Sequence, residues 1–412
     1  MRVTQLFTKT TKNAPADEVA KNAQLLIRAG FVHKEMAGVY SYLPLGKRVL
    51  EKIIQIVREE MNDIGGSEIS LTALQNSEVW KKSGRWDDDV MDVWFKTKLA
   101  NGTDLGLAPT HEEPLTKLMK NYIHSYKDLP IYPYQFQIKF RNELRSKSGL
   151  MRGREFWMKD LYSFSRTQEE HDAFYETAAL AYAKVFDRLG LGDFTYRTFA
   201  SGGSFAKFSH EFQTVSPVGE DKIYVHKEKN IAINEEVYTD EVLAELGVSK
   251  DELEEMNAVE TGNIFTLGTR FSDPLELNYT DENGESKPVI MGSYGIGPSR
   301  LMGLIAEHFS DDKGLVWPAN VAPFTVYLVS IGDVKEQADK LYADLTAQGI
   351  EVLYDDRDER PGAKFADAEL YGIPYRVTIS ERLIADNKLE FTTRTATESE
   401  LLTEDELLAK LA

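Results

Sequence analysis

At 412 residues, with 42% apolar and 11% aromatic residues, the chain is long enough for two or three packed units, and no run approaches the eighteen or so apolar residues that a membrane span requires. The absence of cysteine removes disulfides, thiolate zinc sites and a thiol nucleophile, and seven scattered histidines without HExxH spacing leave no histidine-rich metal site. A net charge of −19 rules out a surface that grips nucleic acid everywhere, so phosphate contacts have to be confined to local patches.

The first twelve residues mix charge with isolated apolar residues and lack the apolar segment and cleavage site of a secretory signal, which implies a cytoplasmic protein. Between 46 and 64, Val49, Leu50, Ile53, Ile54, Val57, Met61 and Ile64 recur at helical spacing until Gly65-Gly66, which predicts a long amphipathic helix. Strand-like runs follow at 67–71, 104–108 and 134–141, separated by segments too polar or broken for long helices; they point to an antiparallel sheet flanked by helices. Over 136–143 alternate residues share a face, which sets Lys139, Arg141 and Glu143 opposite Phe136, Ile138 and Phe140. A basic loop and an aromatic-rich strand at 155–164 complete a hairpin with a positive tip. Lys139, Arg141, Arg145, Lys147, Arg152 and Arg154 here face only Glu143 and Glu155, a local reversal of the overall charge. Taken alone, such a hairpin is more often a solvated sheet edge than an active site.

Residues 215–258 are acidic and mixed in pattern, with one helical segment near 240–256, and read as a modest connector between two halves of one sheet. A short apolar strand at 288–291 leads into GSYGIGPSR (292–300). Its glycines suit a tight strand-to-helix turn and Pro298 suits a first helical turn, so Arg300 projects from the start of the next helix. The GxG portion resembles a dinucleotide fingerprint. Arg300 takes the third glycine's place, however, and no acidic partner follows at the expected distance, so a Rossmann site is rejected. Beyond Pro318 and Pro323 the pattern alternates: an apolar run at 326–331, helical spacing through Val334, Ala338, Leu341 and Leu345, then strands at 350–354, 375–379 and 389–391. This predicts a small α/β domain with a largely parallel sheet over 319–412, after an α+β domain over 1–318.

Phe140-Arg141-Asn142-Glu143, with Arg152 and Phe156 beyond the loop, resembles motif 2 of class II aminoacyl-tRNA synthetases; residues 295–300 resemble their GxGxxR motif 3, and the helix after Pro44 resembles motif 1. Three matches in the correct order are far more specific than any one. LLIRAGFVHKEMAGVYSYLPLG (25–46), APTHEE (108–113), the hairpin 136–164, FSHEFQ (208–213), VETGNIFTLGTRFS (259–272) and DDRDERPGAKFADAELYGIPYR (355–376) are similar to bacterial-type prolyl-tRNA synthetases, and the resemblance covers nearly the whole chain. It implies an α+β catalytic domain with the class II antiparallel sheet, a C-terminal α/β anticodon-binding domain, and ATP-dependent ligation of L-proline to tRNA(Pro) through a prolyl-adenylate.

On that resemblance Arg141 bridges the proline carboxylate and the α-phosphate, while Arg152 and Arg300 hold the γ-phosphate, Arg300 also being able to stack on adenine. Phe156 covers the other face of the base and Glu143 accepts from its exocyclic amine. Glu260 is either the acid beside a magnesium ion or an exposed strand-end carboxylate. Thr110 and Glu112, two apart on an extended segment, receive the secondary ammonium of proline; His210, Glu211, Phe265 and Ser293 wall the ring pocket or pack beside it. Arg145 and Lys147 meet the tRNA acceptor stem. Arg357, Arg360, Lys364 and Glu369 resemble the anticodon-reading segment, or form a solvated, salt-bridged helix start. The resemblance also implies a homodimer paired through the motif 1 helices, and no zinc. The interval 213–259 is too short for the large editing domain that bacterial members commonly insert, so alanine mischarging without hydrolysis in cis is expected, with correction left to a separate trans-editing factor. The competing readings are a threonyl- or histidyl-type ligase and a catalytically silent paralogue. The intact set Arg141, Glu143, Arg152 and Arg300 speaks against a silent copy.

Overall fold

The computed structural model describes residues 1–144, 146, 148–201 and 208–411. Its floor is a nine-stranded sheet of β1 (Ser67–Glu68), β2 (Pro133–Phe140), β3 (Glu155–Ser165), β4 (Thr195–Ser201), β5 (Phe208–Val215), β6 (Asp221–His226), β7 (Ile231–Asn234), β8 (Glu254–Gly268) and β9 (Ile290–Ile296). The spatial order is β5-β4-β7-β6-β8-β9-β3-β2-β1, and a further antiparallel pairing of β5 with β8 closes the far end on itself. The two segments that resemble motifs 2 and 3 therefore lie side by side, with β9 paired antiparallel to β3 and β3 to β2.

One face of this sheet is apolar and covered by helices. Of α1 (Lys21–Arg28), α2 (Pro44–Asp63), α3 (Glu112–Met119), α4 (Gln168–Arg188) and α5 (Pro298–His308), the long α2 packs against both α4 and α5. The 3.6-residue pattern read from the sequence is what buries Val49, Leu50, Ile53, Ile54, Val57 and Met61, and Pro44 sits in the first turn, where its missing N–H costs nothing. Gly46 permits close approach, since a Cβ there would lie 2.1 Å from the Phe31 carbonyl oxygen. The other face of the sheet carries the polar residues that line the cleft, and beside them Tyr162, Phe164, Leu267 and Met291 form a separate apolar cluster under Leu115 and Met119 of α3.

Three local expectations change. The connector supplies two strands of the main sheet, β6 and β7; its helix is only Asp240–Leu246, ended by Gly247 at φ 65°, and 254–256 already belong to β8. The glycines of 292–295 do not form the turn: β9 runs on to Ile296, and Gly297 alone precedes the helix. Gly295 is required by proximity, because a Cβ there would stand 2.8 Å from the Asn263 side-chain oxygen. Thr110 and Glu112 meet because α3 begins at Glu112, not because they alternate on a strand.

A second sheet is built from β10 (Val326–Ile331), β11 (Val352–Asp355), β12 (Tyr375–Ser380), β13 (Leu389–Thr393) and β14 (Glu400–Leu402), in the order β11-β10-β12-β13-β14, with α6 (Lys335–Ala347) and α7 (Pro361–Tyr371) between its parallel strands. β10 is parallel to β11 and β12, whereas the last two strands run antiparallel. The N-terminal segment that precedes α1 is bound to the second sheet and to α6. The Met1 amino group donates to Tyr342 Oη at 2.7 Å and Val352 O at 2.9 Å, Arg2 pairs with Asp339 at 2.7 Å, and Thr4 binds Asp356. Among the described residues no helix is long and apolar enough to cross a membrane.

Candidate active site

The polar face of β2, β3, β8 and β9 forms the floor of a cleft lined by Arg141, Glu143, Arg152, Phe156, Glu260 and Arg300. Strand alternation puts Phe156 and Met158 on this face, and Arg141 follows directly from β2. Arg141 donates from Nε to Pro109 O at 3.3 Å, and its guanidinium lies 5.4 Å from the centre of the Phe156 ring. Burial, and then the neighbouring Arg300 charge, pull Arg141 below the usual guanidinium range. Arg300, in the first turn of α5, donates from Nε to Met151 O at 2.8 Å and from Nη1 to the carbonyl and carboxylate of Glu260. Arg152 pairs with Glu143 at 2.8 Å and Glu220 at 3.3 Å. Three cations from separate segments thus surround one hollow, each held by acceptors that an anionic ligand could supplement.

The same cleft continues past Arg141 into a hollow lined by Arg85, Thr110, Glu112, Asp160, Tyr162, Asn263, Phe265 and Ser293. Thr110 Oγ1 donates to Glu112 Oε2 at 2.7 Å, and Arg85 Nη1 lies 3.3 Å from that oxygen. Arg85 also meets Glu113 at 3.1 Å, and burial pushes the Glu113 carboxyl above the usual range. Phe265 supplies an apolar wall and Glu112 a carboxylate, a combination suited to a small ring carrying a cation.

Beneath this hollow lies a polar network that sequence reasoning missed. Lys139, counted above among the cations of the hairpin, is fully buried; its ammonium lies 2.8 Å from Asp160 Oδ1 and also meets His111 Nδ1. Asp160 Oδ2 accepts from Gln135 at 3.0 Å and from Tyr162 Oη at 3.0 Å. Burial opposes ionisation of Asp160, but the Lys139 charge and the hydrogen bonds from Gln135 and Lys139 overcome it and hold the carboxyl below its usual range. Burial and the Lys139 charge push His111 down to about 4. The neutral ring lies 3.1 Å from Thr72 O, which can only accept, so its proton sits on Nε2 and Nδ1 is left to accept from Lys139. The signal was present as a lone aspartate inside an aromatic strand, but its partners come from distant segments.

Other expected residues are placed elsewhere. His210 is not brought to the hollow. Its cross-strand partner Ile264 faces the helices, and the imidazole packs on Phe199 and bonds Tyr175 Oη at 2.9 Å. Glu211 lies on the cleft side but nearer Glu260: Gln213 and Asn234 donate to it at 2.8 and 3.0 Å, and burial, then the Glu260 charge, push its carboxyl up. At the start of α7, Arg360 is exposed, while Arg357 is pinned by Asp355 at 2.6 Å and Asp367 at 2.7 Å. Lys364 is buried, its ammonium spent on Ser330 O and Asp355 O, so it has nothing to offer a nucleic acid in this arrangement. Glu369 is half-buried against Lys313 at 2.9 Å. Arg145 and Lys147 lie outside the described residues.

The core-domain model of class II tRNA synthetases for G, H, P, S and T matches residues 95–309, and an anticodon-binding domain model matches 325–412. A proline–tRNA ligase of Hyphomonas neptunium is 38% identical, the match covering 100% of this chain and 99% of the relative. The chain belongs to the proline–tRNA ligase family. Another proline–tRNA ligase, from Agrobacterium fabrum, is 37% identical with 98% of both chains covered. The proline–tRNA ligase of Chromobacterium violaceum is 33% identical over 564 aligned positions, 99% of each chain, an alignment much longer than the 412 residues here. This chain is therefore a short form of the proline–tRNA ligase family, consistent with the brief β6–β7 connector. Among solved structures, a prolyl-tRNA synthetase from Cryptosporidium parvum, complexed with halofuginone and AMPPNP, shares the fold with a TM-score of 0.78 at 18% identity, covering 95% of this chain and 75% of that one. One from Giardia lamblia in complex with prolyl-adenylate gives 0.75 at 20% identity, covering 93% and 74%.

Proposed function

We propose that this protein activates L-proline with ATP, releasing pyrophosphate, and then transfers the prolyl group to the terminal ribose of tRNA(Pro). The observation that carries this reading is the convergence of Arg141, Arg152 and Arg300 on one hollow that opens directly beside Thr110 and Glu112. The attacking proline carboxylate is already ionised at neutral pH, so adenylation needs alignment and charge stabilisation rather than a general base. Arg141, which borders both hollows, bridges carboxylate and α-phosphate; Arg152 and Arg300 hold the γ-phosphate, and Phe156 and Glu143 take the adenine. Glu112 and Thr110 receive the secondary ammonium, with Phe265 and Ser293 beside the ring.

Binding of the triphosphate would release Arg152 from Glu143 and Glu220. Glu260 and Glu211 are the residues that would hold a magnesium ion. They are hard oxygen donors on adjacent strands, and their mutual repulsion is relieved by a cation. The ion, when bound, supplies neutralising charge to the phosphates. We further assign residues 1–318 to catalysis and 319–412 to the tRNA anticodon, with Arg360 as the exposed cation at the α7 start. A cytoplasmic homodimer, absence of zinc, absence of editing in cis and dependence on a separate editing factor complete the reading. Proline-dependent exchange of labelled pyrophosphate into ATP tests it. Exchange with proline and not with threonine or histidine is expected, and no exchange with any of the three would overturn it.

A further inference from the structure

The side chain of Asn22 is fully buried and lines neither hollow, yet it touches the segment that leads into the cleft. It is the second residue of α1, and its carboxamide and backbone make four hydrogen bonds at once. Its backbone N–H donates to Glu307 Oε2 at 2.8 Å, and Nδ2 donates to the same oxygen at 2.9 Å and to Ser148 O at 3.3 Å. Oδ1 accepts from Leu150 N–H at 3.2 Å. Three parts of the sequence meet here: the N-terminal helix, the return of the motif 2 loop, and the end of α5, which carries Arg300 at its start.

The turn at 148–151 cannot hold its own shape cheaply. Ser148 and Gly149 are both left-handed, at φ 66° and 64°, and a serine enters that region only when its surroundings compel it. Asn22 supplies that compulsion, since its Oδ1 and Nδ2 clamp the residues on either side of Gly149. The packing is close enough that a Cβ on Gly149 would fall 2.2 Å from Asn22 Oδ1. Two arginines depend on where this turn sits. Met151 O accepts from Arg300 Nε at 2.8 Å, and Arg152 is the next residue along the chain.

We propose that Asn22 is a positioning residue for ATP: by fixing the turn 148–151 it sets the spacing of Arg152 and Arg300 around the triphosphate. The proposal rests on the reading that these two arginines hold the phosphates. An amide is required, because the site offers one donor, Leu150 N–H, and two acceptors, Ser148 O and Glu307. An aspartate of the same shape would face the Glu307 carboxylate and the Ser148 carbonyl with no proton to give.

The test is pyrophosphate exchange by the purified full chain carrying Asn22→Asp, Asn22→Ser, or Asn22→Asp with Glu307→Gln, titrated separately with ATP and with proline. The KM for ATP in Asn22→Asp should rise about tenfold or more, with the KM for proline within about twofold of the parent. Glu307→Gln returns a donor to the site and should recover part of the loss. Equal losses for both substrates, or an unchanged KM for ATP in a folded Asn22→Ser protein, would overturn the proposal. Failure of the parent to exchange with proline would instead refute the function on which it rests, so the two outcomes are distinct. If Asn22→Asp does not fold, the Asn22→Ser protein and the double variant carry the same comparison.

Discussion

Replacing Glu112 with glutamine keeps the shape of the side chain and removes the carboxylate charge that stands beside Thr110 to meet an incoming secondary ammonium. Glu112 is 8% exposed, and Thr110 at 2.7 Å and Arg85 at 3.3 Å already fix it, so little reorganisation accompanies binding. Removing one partner of such a desolvated charge pair costs about 2 to 4 kcal/mol. That corresponds to a fall in kcat/KM for proline of about 30-fold to 900-fold. Arg85 keeps Glu113 as a partner at 3.1 Å, so the fold should survive. Pyrophosphate exchange over a range of proline concentrations reads the effect, and the KM for ATP should stay within about twofold. A folded Glu112→Gln protein whose kcat/KM for proline lies within about threefold of the parent would refute the assignment of the ammonium to this carboxylate.

Four other outcomes follow from the same geometry. Asp160→Asn should destabilise the fold by about 3 to 5 kcal/mol in chemical denaturation, because it strands the buried Lys139 ammonium, while joint replacement of both residues by apolar ones should restore most of the loss. His111 has its pKa lowered from 6.5 to about 4, so the folded state declines a proton that the unfolded chain accepts. The stability it contributes is full above 6.5 and fades as pH falls through that window toward 4; urea titrations at pH 7 and 5 should show a smaller drop in His111→Asn than in the parent. Arg360→Ala should lower kcat/KM for tRNA about tenfold and leave pyrophosphate exchange untouched, which a filter-based charging assay would separate. The purified protein should form Ala-tRNA and fail to hydrolyse it, since losing a methylene gives only about 1 to 3 kcal/mol of discrimination; rapid clearance of Ala-tRNA would contradict this.

Much of the architecture was written in local patterns. The helical spacing of α2 and the alternating faces of β2 and β3 are read from neighbours along the chain, and the C-terminal alternation of strand and helix accounts for the three parallel strands β10, β11 and β12, while the antiparallel return through β13 and β14 was not foreseen. What escaped was whatever depends on register between distant segments. β6 and β7 are short and half-polar, and only their pairing with β8 and β4 makes them strands of the main sheet. His210 and Phe265 looked equivalent as ring-pocket candidates, yet pairing of His210 with Ile264 turns it to the helices while Phe265 turns to the cleft. Lys139 was legible as a residue on the cleft face, but its burial was not, because His111 and Asp160 approach it from 28 positions before and from the adjoining strand.

The Lys139–Asp160 pair also constrains how this sequence can drift. A single replacement at either position leaves a lone charge walled off from water beneath the amino-acid hollow, so the intermediate on the path to any other pair is less fit than both ends. Substitution here is therefore expected to proceed by rare paired changes, and a library that randomises the two positions together should recover folded combinations that one randomising them singly does not.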